Sequence, residues 1–170
     1  MSVETAGVSV IDDGHLPALG ADVALSSEQR AGLERDGHVS VPGLFSASEI
    51  AAFKPAIMAA IVEHEREVGP LERMLYMFDS LWKKSETVRK FVCSRRIARV
   101  AADALGSDSV RLWRDIPFCR PPGDNAPWHY DLTWEPLATD RLVAVWIALN
   151  DIAADMGPLT FASGTHRAPR

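Results

Sequence analysis

The order of apolar and polar positions divides the chain into a helical first part and a strand-like second part. Residues 1–25 mix Gly, Asp and Pro with scattered apolar positions and follow no period, which reads as a loosely ordered arm. From Ser26 the pattern becomes regular. Ser26 or Ser27 can cap a short helix running to about Asp36, and Gly37 is a natural stop. His38-Val39-Ser40-Val41 alternates polar and apolar positions and predicts a short strand. Ser46-Ala47-Ser48-Glu49 fits a capping box, with hydroxyl and carboxylate three residues apart. Behind it Ile50, Phe53, Ile57, Met58, Ile61 and Val62 share one face of a helix extending to about Val68. Pro55 falls inside this stretch and predicts a kink or a late start. Two shorter helices are expected from about Ser85 and from about Ser94, the second ending at Gly106.

After Gly106 the spacing of apolar residues shortens. Residues 109–119 place Val, Leu, Trp, Ile and Phe at mostly alternating positions. Residues 142–149 form a nearly continuous apolar run of strand length, and residues 158–162 are a third candidate strand. Between them lie turn signals at Pro121-Pro122-Gly123-Asp124-Asn125, Glu135-Pro136 and Met156-Gly157-Pro158. Helices followed by strands predict an α+β fold, or a mostly β core with helices packed outside it. One domain over 26–170 is expected, its helices in 26–106 and its sheet core in 107–170, preceded by the arm 1–25.

Composition narrows the classes. A chain of 170 residues suits a single domain, and at 47% hydrophobic and 24% charged it is not a wholly disordered one. A net charge of −5 offers no basic footprint for nucleic acid. No apolar run approaches the roughly 20 residues that span a bilayer, so no membrane partner is expected. The first residues lack the basic start and apolar core of a signal peptide. Cys93 and Cys119 are too far apart for a disulfide framework or a CxxC zinc site and fit a reducing cytoplasm. The basic residues of the two shorter helices read as a solvated face, and His15, His38 and His64 as surface side chains.

The chemically suggestive spot is Trp128-His129-Tyr130-Asp131. In an extended strand, residues two apart point to the same side, so His129 and Asp131 can enter one cavity while Tyr130 points away. An imidazole and a carboxylate make two-thirds of the facial triad of non-haem Fe(II) oxygenases, which leaves three coordination positions for a bidentate co-substrate and dioxygen. A His-x-Asp triplet arises by chance roughly 0.4 times in a chain of this composition, so alone it decides nothing. Its ordinary reading is a hydrogen-bonded surface pair.

The context is more specific. A strand ends in Arg120 and Pro-Pro-Gly, a short loop leads to Trp-His-x-Asp, and Trp134 follows. Then come an apolar strand bearing Trp146, the turn Asn150-Asp151, Gly-Pro-Leu, and Ser163-Gly164-Thr165-His166-Arg167. This order, over roughly residues 30–170, resembles the phytanoyl-CoA dioxygenase family of Fe(II)/2-oxoglutarate-dependent oxygenases. The helical segment DSLWKKSETVRKFV has that family's texture too. The resemblance implies a double-stranded β-helix (a jelly-roll, cupin-like core) with N-terminal helices against one sheet, of which residues 107–170 supply an incomplete part. It implies Fe(II) held by His129 and Asp131, and 2-oxoglutarate as a chelating co-substrate that is decarboxylated to succinate. The usual outcome is hydroxylation of an unactivated C–H bond of a small organic or acyl substrate. Trp146 resembles a position lining the 2-oxoglutarate pocket. Thr165 could offer it a hydroxyl, and Arg120 could meet an anionic substrate or co-substrate. For these three the ordinary readings are a core Trp, a turn hydroxyl and a surface Arg. Trp128 and Trp134 either wall the substrate cavity or simply pack.

The family's third ligand is a later His, followed by an Arg that pairs with the 2-oxoglutarate carboxylate. After Asp131 only His166 occurs, in a segment that in the family precedes the distal ligand. The expectation is therefore a C-terminally truncated member. A chain in which His166 serves as surrogate third ligand, and a complete but non-catalytic relic, are the alternatives. Two further classes stay open: a zinc hydrolase or structural zinc site built from His129, Asp131 and His166, and a metal-free binding module. A serine hydrolase is excluded, because no Gly-x-Ser-x-Gly elbow exists. Neither the oligomeric state nor the identity of the substrate can be read from these residues.

Overall fold

Helix boundaries fall where local capping chemistry puts them. The structure, a computed structural model, describes residues 16–20, 23–67, 80–118 and 126–168. Helix α1 spans Ser27–Asp36. The Ser26 hydroxyl accepts the N–H of Gln29 at 3.1 Å, and the Gln29 side chain accepts the N–H of Ser26 at 2.9 Å, so two orphan donors satisfy each other. Gly37 ends the helix in the left-handed region, φ 81°, with its N–H donated to the Leu33 carbonyl at 2.8 Å.

Helix α2 spans Ala47–Glu67. Its expected capping box forms: Glu49 N–H donates to the Ser46 hydroxyl at 3.2 Å, and Ser46 N–H donates to the Glu49 carboxylate at 2.8 Å. The helix starts at this box and runs through Pro55 as one element, not with the late start that proline suggested. The missing proline N–H is tolerated because Phe53, Ala56 and Ile57 on either side of it are buried. Helix α3 spans Glu86–Val92, with Val88 N–H donated to the Ser85 hydroxyl at 3.3 Å. Helix α4 spans Arg95–Leu105 and stops at Gly106, φ 57°.

These helices enclose two apolar clusters. In the first, Phe53 of α2 meets Phe91 of α3 with ring centroids 5.2 Å apart, and Leu19, Ile57, Ile61 and Leu81 surround them. In the second, Leu25 and Leu44 close over Val100 of α4. Leu19 and Leu25 belong to the segment expected to be a loose arm, so its described part is packed onto the helices.

Two polar residues expected at the surface are in fact buried. Arg96 is not part of a solvated face: its guanidinium donates to the Leu44 carbonyl at 2.8 Å and to Glu49 at 2.9 Å, and lies over the Phe45 ring. This joins the start of α2 to α4. His64 is likewise buried, and its Nδ1 accepts from Lys84 at 2.9 Å. His38 is half-buried against Phe161, while His15 lies outside the described residues.

The expected strands are corrected. Among the described residues no strand is assigned: not at 38–41, nor over the described part of 109–119, nor at 142–149 or 158–162. The described residues therefore show no paired jelly-roll sheet, and helices and single-turn 3₁₀ segments supply all the regular structure among them. A strand exists only when its N–H and C=O groups pair with a neighbour, and among the described residues these segments show no such ladder. The strand period is nevertheless expressed in burial. From 143 to 150 every other residue is half-buried, and Ile147 and Leu149 pack on the first cluster while Trp146 faces outward. Among the described residues no helix is long and apolar enough to cross a membrane.

Candidate metal centre

His129 and Asp131 converge, though not on a strand. Tyr130 between them is extended (φ −105°, ψ 130°), and a 3₁₀ turn, Asp131–Trp134, starts at the aspartate itself. One extended residue followed by a tight turn brings His129 Nε2 to 3.3 Å from Asp131 Oδ1. The other ring nitrogen, Nδ1, donates to the Pro127 carbonyl at 2.8 Å. A carbonyl can only accept, so Nδ1 carries a proton, and in the neutral ring Nε2 presents its lone pair to the carboxylate. Two electron-rich atoms this close need a proton or a cation between them. The pair is open to solvent, with side-chain exposures of 39% and 58%.

The Tyr130 hydroxyl donates to the Thr165 carbonyl at 2.7 Å. Glu135 holds the far end of the turn. Its side chain is 7% exposed, accepts from the Trp113 indole N–H at 2.7 Å and pairs with Arg114. Sequence reasoning missed Glu135, because its partner Trp113 lies 22 residues upstream and no local pattern marks the pair.

His166 is not a third member of the group. Its Nε2 donates to the Glu34 carbonyl in the last turn of α1 at 3.1 Å, which holds the ring against that helix. Among the described residues no three His, Cys, Asp or Glu side chains are grouped to hold a metal, and the His129–Asp131–His166 zinc triple is not assembled. The Thr165 hydroxyl donates to the Ala162 carbonyl at 2.8 Å, an ordinary turn bond. Trp146 is 45% exposed and Trp128 73%, so neither is a core tryptophan. Arg120, Cys119 and the side chain of Trp134 lie outside the described residues.

Residues 33–170 match the phytanoyl-CoA dioxygenase (PhyH) family. The chain belongs to that family. This phytanoyl-CoA dioxygenase family member is 29% identical over 159 residues to an ectoine dioxygenase of Bordetella bronchiseptica, covering 85% of the chain and 50% of that protein. It is 25% identical over 158 residues to one from Sphingopyxis alaskensis, covering 86% and 51%. With one from Nocardia farcinica the identity is 30% over 155 residues, covering 83% and 51%. The chain thus spans about half the length of the curated relatives it matches. No solved structure matches it. Both the helical part from the last turn of α1 onward and the His129–Asp131 turn fall inside the matched span of this dioxygenase family.

Proposed function

We propose that the chain carries two iron ligands, His129 and Asp131, of an Fe(II)/2-oxoglutarate-dependent dioxygenase that hydroxylates an unactivated C–H bond of a small organic molecule. One observation carries this: His129 Nδ1 is committed to the Pro127 carbonyl, which turns Nε2 toward Asp131 Oδ1 at 3.3 Å. A metal-binding imidazole is commonly oriented through its other nitrogen in this manner. With metal–ligand bonds of about 2.1 Å, neighbouring donors of an octahedral site lie about 3 Å apart, so the pair fits one cation. An imidazole and a carboxylate suit non-haem iron and leave most of the coordination sphere open. When bound, iron and 2-oxoglutarate supply the activation of dioxygen and the oxidising power.

The chain's own part is to hold and aim. Pro127 fixes the imidazole tautomer, the turn Asp131–Trp134 presents the carboxylate, and Glu135 anchors that turn. Arg120, Trp146 and Thr165 are proposed to border 2-oxoglutarate. The proposed core is a double-stranded β-helix, and the alternating burial of residues 143–150 is the pattern one of its strands requires. The names of the relatives make ectoine the first substrate to try.

The test is an anaerobic Fe(II) titration of the whole chain and of His129→Ala and Asp131→Ala, followed by succinate detection with 2-oxoglutarate and ectoine. Saturable binding that each substitution abolishes is expected. Iron binding that survives both substitutions, or zinc that survives dialysis in the wild type, would overturn the assignment.

A further inference from the structure

The mutual approach of His129 and Asp131 is tied to a helix more than ninety residues earlier in the chain. The segment from Phe161 to Arg167 docks on the C-terminal end of α1. Gly164 N–H donates to the Asp36 carbonyl at 2.8 Å, and His166 Nε2 donates to the Glu34 carbonyl at 3.1 Å. Beside them the His38 ring stacks on Phe161, with centroids 4.8 Å apart, and meets the Ser163 hydroxyl at 2.9 Å. The fit is close: a Cβ on Gly37 would stand 2.4 Å from His166 Nδ1. Thr165 is therefore fixed on both sides, by Gly164 and by His166. Its carbonyl accepts two donors, the Ala168 N–H at 2.9 Å and the Tyr130 hydroxyl at 2.7 Å.

Tyr130 is the residue between the two proposed ligands. Its side chain is 41% exposed, so burial does not orient it; the hydroxyl bond does. We propose that Tyr130 is a positioning residue, whose hydroxyl on the Thr165 carbonyl anchors the ligand turn to the end of α1 and sets the angle at which His129 and Asp131 meet a metal. This rests on the metal assignment made above. Without the hydroxyl the Tyr130 backbone can rotate. Each ligand is still present, but the two no longer address one point.

The probe is Co(II) alone, titrated into the full chain, with affinity and the visible d–d absorption as readouts beside the thermal midpoint. Tyr130→Phe keeps the ring and removes the bond. It is expected to lower Co(II) affinity about tenfold, the effect typical of losing a group that orients a ligand, and to shift the d–d bands while the thermal midpoint stays near wild type. His166→Ala, which acts only through the docked segment, is expected to move affinity in the same direction. His166→Gln, able to donate to the Glu34 carbonyl, is expected to restore it. Wild-type affinity and spectrum in both Tyr130→Phe and His166→Ala would overturn the positioning role and leave the metal site standing. A wild-type chain that binds no Co(II) would remove the metal site, and the positioning role with it.

Discussion

Glu49→Gln removes a charge while keeping shape and hydrogen-bond capacity. Glu49 sits three residues into the capping box of α2 and accepts from buried Arg96 at 2.9 Å and from the Ser46 N–H at 2.8 Å. The Arg96 guanidinium first, and then the Ser46 N–H, lower its carboxyl from 4.5 to about 2. A carboxyl held that far down stabilises the folded state by about 3 kcal/mol at neutral pH. The Glu49 side chain is 17% exposed, and screening there trims this to about 2 kcal/mol. For a domain of this size that is a fall of about 4–8 °C in Tm at pH 7. The sign with pH follows from the direction of the shift. A depressed carboxyl stabilises fully above its unfolded value, near 4.5, and the stabilisation is lost as pH falls toward about 2. Urea unfolding of both chains at a series of pH values from 7 to 3 measures the difference. The gap should be widest at pH 7 and narrow through that window. A gap of constant size, or none at pH 7, would refute the account, since either would mean that the charge on Glu49 does not hold α2 to α4.

Two further substitutions test the packing. Phe53 is 2% exposed and lies against Phe91, so Phe53→Ala should cost about 3–5 kcal/mol in urea unfolding; a loss below about 1 kcal/mol would mean that α2 and α3 are not held by this contact. Buried Asp103 accepts the Leu25 N–H at 2.9 Å and pairs with Arg99 and Arg30 at 3.2 and 3.5 Å. Asp103→Ala strands that N–H and should cost about 1–3 kcal/mol, while Asp103→Asn, which still accepts it, should recover most of the loss. Equal losses in the two would point instead to the charge pairs.

Helix ends were legible because capping is local. The partners Ser26 and Gln29, Ser46 and Glu49, and Ser85 and Val88 each lie three residues apart, and α1 and α4 stop at glycines in the left-handed region. Arg96 and His64 were misjudged by the same local logic. Charge next to charge on a helix suggests a wet face. The groups that bury Arg96 lie 47 and 52 residues away, and no local pattern contains them. His166 was a plausible ligand by residue type, yet its nitrogen meets a carbonyl 132 residues earlier. Glu135 was invisible for a related reason: Trp113, its partner, is 22 residues upstream on a different segment.

The one-dimensional pattern therefore decided the four helices and the placing of an imidazole and a carboxylate two residues apart, while the inward–outward alternation of the continuously apolar residues 143–149 came from packing on the first cluster. The helices and that placing depend on contacts within a few residues, and there the chain has few choices. Tertiary structure decided whether an alternating run becomes a paired strand, which charged side chains are buried, and which histidine is free to face Asp131. Those outcomes depend on backbone carbonyls and partners brought together from distant segments. Their geometry exists only once the helices have packed.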